Sequence, residues 1–139
     1  MAMFRETISL THDGALKAVA AGATRAVEMG VPQCLMVVDA SGETLASLRM
    51  DGARFLSLRT ALAKARTAAS INAATGDMAF EAALSAGIAS QGAVTNLPGG
   101  LPIRFGGRLA GGIGVGSGTG EQDFDVARAA LTAIGADVV

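Results

Sequence analysis

The stretch Leu97–Asp123, LPGGLPIRFGGRLAGGIGVGSGTGEQD, decides how the rest of the chain is read. Pro98-Gly99-Gly100 and Pro102 punctuate its start, and Ile103, Phe105, Leu109, Ile113 and Val115 supply strand-compatible apolar side chains. Between these runs Gly106-Gly107 specifies a tight hairpin, because a type I′ turn needs positive φ at both central residues and glycine adopts it without steric cost. The following GSGTGEQD reads as a glycine loop feeding a helix that opens near Thr119-Gly120. The first N–H groups of such a helix have no partner inside it and can receive an anion. Glycines at 116, 118 and 120 would let a ligand approach the backbone closely. Glu121 and Asp123 place negative charge in the same turn, which by itself is ordinary helix stabilisation. The loop is neither a Walker A motif nor a dinucleotide fingerprint, since it lacks GxxxxGK[ST] and no βαβ unit surrounds it.

Working outward, Thr11 is a good N-cap, and Leu16, Val19, Ala20, Ala23 and Val27 recur at helical spacing up to Gly30 and Pro32, which predicts a helix over Thr11–Met29. Gln33–Val38 is a continuous apolar run suited to a buried strand; Ala40-Ser41-Gly42 turns it into a second strand, Glu43–Met50. Phe55–Ala74 is helical in pattern, a shorter helix is expected over Asp77–Ala86, and Ile88–Asn96 can hold a short strand. Glu121–Ile134 closes the chain with an amphipathic helix of Phe124, Ala127, Leu131 and Ile134. Two hairpins without βαβ alternation predict an α+β fold, an antiparallel sheet flanked by helices, in a single domain spanning 1–139.

Composition narrows the function classes. Half of the residues are apolar and only 17% are charged, with 19 glycines, so buried subunit contacts and a homo-oligomer are expected. A net charge of −1, with no Trp or Tyr, leaves neither the basic footprint nor the stacking platform of a nucleic-acid binder. The opening MAMFRETISL lacks a basic region followed by an apolar core, and no later run is long enough to span a membrane; a cytoplasmic protein without membrane partners is the expectation.

Several side chains stand out as chemistry-bearing. His12, the only histidine, falls at an exposed helix start, where it is either solvated or a ligand or acid–base group. Arg49 and Asp51 either pair at the surface or line a ligand site in which Arg49 turns its planar fork to a carboxylate. Lys64 either snorkels to water from its helix or turns inward as the counter-ion of an acidic ligand. Cys34 and Met78 read as core, and one cysteine supports neither a disulfide framework nor a Cys-rich metal site, so no metal is expected.

Five segments carry a family resemblance: SLTHDGA (9–15), VVDASGETLASLRMDGA (37–53), KARTAA (64–69), LPGGLPI (97–103) and GGIGVGSGTGEQDFDVARAAL (111–131). Together they resemble the GlcG/HbpS family of haem-degrading or haem-binding-like proteins, which includes the C-terminal domain of the propanediol-utilisation adenosyltransferase. The resemblance implies a profilin-like fold, oligomers built from dimers, and haem as the candidate cofactor, with His12 its candidate ligand. Two functions remain in view. One is a binding protein whose pocket, for a tetrapyrrole or small organic acid, draws on Arg49, Asp51, Lys64, Pro98, Gly99, Gly100, Gly118, Thr119 and Gln122. The other is a small catabolic enzyme of isomerase, tautomerase or hydratase type, with Glu121 or Asp123 as the base acting on a carboxylate-bearing metabolite.

Overall fold

A computed structural model describes all 139 residues. The elements run α1 (His12–Met29), β1 (Cys34–Asp39), β2 (Thr44–Arg49), α2 (Ser57–Ile71), α3 (Phe80–Ala89), β3 (Gly100–Phe105), β4 (Arg108–Gly116) and α4 (Gly120–Ala133). The strands form one antiparallel sheet in the order β2-β1-β4-β3. Gly106 and Gly107 both take positive φ, 58° and 79°, as the hairpin between β3 and β4 requires. At the opening of α1, the Thr11 hydroxyl accepts from Gly14 N–H, and Gly30 closes the helix in the left-handed region.

The two faces of the sheet are built from different residues. One face presents Leu35, Val37, Leu101, Ile103, Ile113 and Val115 to α1 and α4, which contribute Ala15, Ala18, Val19, Val126, Ala130 and Leu131. This is the larger core. The other face carries α2, and here β4 is nearly bare: a Cβ at Gly112 would land on the Ala65 carbonyl oxygen, and one at Gly114 on that of Ala61. Alternation along β4 therefore puts Ile113 and Val115 into the larger core and glycines under α2. The backbone of α2 lies directly on the sheet, and Ala61, Ala65 and Ala69 pack against Cys34, Met36 and Val38.

Helices α2 and α3 are displaced from their expected bounds, and one expected strand is missing. Helix α2 ends at Asn72, which adopts the left-handed conformation (φ 53°), rather than at Ala74. Helix α3 starts at Phe80 instead of Asp77 because Asn96 holds Met78 out of it: Met78 N–H donates to Asn96 Oδ1 at 2.9 Å and Asn96 Nδ2 donates to Met78 O at 3.0 Å. The strand expected over Ile88–Asn96 does not form. Its first residues finish α3, and the rest is tied to α2 by Thr67, whose hydroxyl donates to Ala93 O and accepts from Thr95 N–H. No helix is long and apolar enough to cross a membrane.

Candidate functional site

Where β4 runs into α4, the chain builds a sealed polar centre. Lys64, on the sheet side of α2, is 5% exposed and Asp123, in the first turns of α4, 2%. Lys64 Nζ donates to Asp123 Oδ2 at 3.0 Å and to Val115 O at 2.7 Å, and Gly118 N–H donates to Asp123 Oδ1 at 3.0 Å. Lys64 thus does not reach water from the flank of α2. It turns inward, and its counter-ion is the protein's own carboxylate. Burial pushes the Asp123 carboxyl above its usual range, while the Lys64 ammonium and the Gly118 N–H oppose that rise.

Glycines wall this centre on both sides. A Cβ at Gly99, where φ is 120°, would stand 2.8 Å from Asp123 Cβ and 3.1 Å from Lys64 Nζ. At Gly118 it would meet Gln33 Nε2 at 2.5 Å and Asp123 Oδ1 at 2.8 Å. Gly120 is filled by Pro98 in the same way, at 2.5 Å from Pro98 Cγ, and Gly116 faces Ser57. The glycines at 116, 118 and 120 therefore admit the protein's own atoms. Capping uses two more of the loop's donors: Gln122 N–H gives to the Thr119 hydroxyl, and Thr119 N–H gives to Gln122 Oε1. On the far side of the PGG loop, buried Thr75 donates to Leu97 O at 2.7 Å and accepts from Gly100 N–H at 2.9 Å.

The structure thus brings Lys64, Gly99, Gly118 and Asp123 together, with Pro98, Gly100, Thr119 and Gln122 fastening the surrounding loops. It separates the remaining candidates from them. Arg49 and Asp51 form no ion pair with each other; they line a shallow cavity of about 500 Å³ against Val27, Val31 and Pro32. Glu121 is exposed at the start of α4. His12 points to solvent beside Asp13, 3.4 Å away, with its side chain 78% exposed. It opens α1, which packs on the sheet face opposite α2. Sequence reasoning passed over Gln33, which is fully buried against Gly118 at the end of an apolar run, and neither amide atom of its side chain finds a partner.

It also passed over the open groove beside α3. No residue of this helix is buried, and Phe80, Leu84 and Ile88, spaced four apart on one stripe, are 78%, 55% and 73% exposed. With Ala83, Gly87 and Leu97 they line an apolar cavity of about 500 Å³. A second cavity, of about 580 Å³, lies between α2 and the turn after α3, lined by Arg59, Leu62, Arg66, Ser90 and Gln91. The two meet at Gly92, around whose Cβ position nothing lies within 4 Å. The signal for this groove was present in the sequence as FEAALSAGIA, whose apolar residues have no polar face opposite them to place in water.

The family model described as Haem degrading protein HbpS-like matches residues 10–132. The chain belongs to the HbpS-like family. Among solved structures, the Klebsiella pneumoniae protein ORFY is 30% identical, superposes with a TM-score of 0.89 and covers 97% of each chain. A PduOC:haem complex is 29% identical with a TM-score of 0.85, covering 94% of this chain and 99% of that one. A corrinoid adenosyltransferase PduO of Citrobacter freundii is 36% identical over 119 residues, 82% of this chain and 36% of the relative. The HbpS-like chain thus spans about a third of the length of the curated PduO relatives it matches. The α+β architecture with its antiparallel sheet is that of these HbpS-like neighbours.

Proposed function

We propose that this chain is a small-ligand-binding protein that holds a tetrapyrrole, haem first among them, in the groove along α3, and that it works as a homo-oligomer. The observation that carries the reading is the stripe of Phe80, Leu84 and Ile88 over an apolar cavity of ligand size. A flat macrocycle buries both its faces by contact, and these side chains supply one such wall. The residues fit the macrocycle. They offer no imidazole or thiol to an iron, since His12 and Cys34 both lie elsewhere, so the groove holds the ring through apolar contact. Support comes from the PduOC:haem complex at a TM-score of 0.85. Exposed apolar side chains outside the groove, among them Phe4, Val27, Phe55 and Leu56, support self-association.

Haem titration followed at the Soret band tests this reading. One-to-one saturation is expected in the wild type, with Leu84→Asp weakening it at least tenfold because a carboxylate then faces the macrocycle. His12→Ala is expected to leave the titration unchanged. A band lost in His12→Ala and retained in Leu84→Asp would move the site to the start of α1.

A further inference from the structure

We infer that the groove selects ligands carrying two carboxylates on one edge of an apolar body, and that Arg59 and Arg66 read them; this rests on the groove along α3 being the binding site. Both arginines stand on the outward side of α2, exposed, and neither takes part in an ion pair or a side-chain hydrogen bond with the rest of the chain. Seven residues apart, they lie on the same helix face about 10 Å apart along the axis, within reach of two acids on one molecule. The charge balance is one-sided. None of the residues lining the apolar cavity or the basic cavity is an aspartate or glutamate, although the chain as a whole carries a net charge of −1.

Two unneutralised guanidinium groups at the end of an apolar trough complement a planar hydrophobic dianion. Each presents a fork of N–H donors that matches a carboxylate bidentately, and neither must first break an internal pair. Gly92 lines both cavities, and nothing lies within 4 Å of its Cβ position. A ligand lying along α3 therefore extends its apolar body over Leu84 and Ile88 and delivers its acidic edge to α2.

The experiment compares haem with haem dimethyl ester, which keeps the macrocycle and the iron and lacks both charges. Absorbance titrations use the wild type, Arg59→Gln/Arg66→Gln and Leu84→Asp, with circular dichroism confirming that each is folded. The wild type is expected to prefer the diacid about tenfold or more, and the preference to shrink as salt rises. The double arginine variant should lose the preference while binding the ester as the wild type does. Equal binding of acid and ester by the wild type overturns the dicarboxylate inference and leaves the groove standing. A preference that persists in the arginine variant overturns the assignment to Arg59 and Arg66. If Leu84→Asp binds both ligands as tightly as the wild type, the groove reading fails, and this inference with it.

Discussion

Lys64 and Arg66 stand two residues apart on α2, and the fold treats them in opposite ways. Lys64 is turned onto the sheet, sealed between Gly99 and Asp123, and pairs with the protein's own carboxylate. Arg66 and its neighbour one heptad back, Arg59, face outward over a cavity and pair with nothing in the chain. A cation in a chain poor in charge is a conspicuous candidate for ligand binding. Here the conspicuous one is spent on architecture, and the ordinary surface ones are left free. The difference arises from where a glycine column lets the helix sink: α2 lies so close to β4 that a lysine on its sheet side has no route to water.

The comparison breaks most readily at Lys64. Lys64→Ala leaves Asp123 buried without its counter-charge and should destabilise the protein by about 3–5 kcal/mol, measured by urea denaturation. Lys64→Met/Asp123→Leu, which removes both charges, is expected to recover most of that loss. A small effect of the single variant would show that water reaches the pair and that the centre is open to ligands after all. Next in size is Gly114→Ala, whose methyl group meets a backbone carbonyl on α2 that cannot rotate away. The cost should be about 2–3 kcal/mol, in the upper part of the range for overpacked cores. A neutral outcome would mean that α2 can lift from the sheet.

The smallest effect is a slope with pH. Because burial holds the native Asp123 carboxyl above its usual value of 3.8, the native state binds that proton more tightly than the unfolded chain does. This group therefore costs stability at neutral pH, and the cost is relieved as pH falls through the raised native pKa, fully so below the unfolded value. Relative to Asp123→Asn, the wild type is expected to gain stability between neutral pH and about pH 4. A loss over the same range would show that the Lys64 and Gly118 contacts outweigh burial. Asp125 sharpens the contrast: its Arg25 partner, at 2.8 Å, lowers its carboxyl, so its contribution falls away in acid, and its exposure keeps that contribution small.

How much of this was legible in the sequence varied from segment to segment. The Gly106-Gly107 hairpin, the Thr11 cap and the opening of α4 near Thr119-Gly120 were readable because a turn or a helix start is specified by a few adjacent residues. Asp123 and Lys64 were both singled out, yet separately: they stand 59 positions apart, and nothing local says that they meet. The GSGTGEQD loop is open in sequence to two readings, an ordinary helix start and room for a ligand; the space at Gly118 and Gly120 is taken by Asp123, Gln33 and Pro98. Strand Ile88–Asn96 failed because Thr67, distant in the chain, captures the backbone groups that a strand would have paired. In the candidate site, Gln33 gave no motif, since a buried amide is recognised only by what surrounds it, and the α3 groove showed only as a helix without a polar face.

By itself the sequence determined the order of helices and hairpins and the resemblance to the HbpS-like family. Periodicity, capping and turn chemistry act over a few residues, and family motifs are written along the chain. The tertiary structure decided which charges are sealed and which are free. Burial depends on how closely α2 approaches β4, and that distance is set by contacts between segments far apart in the sequence.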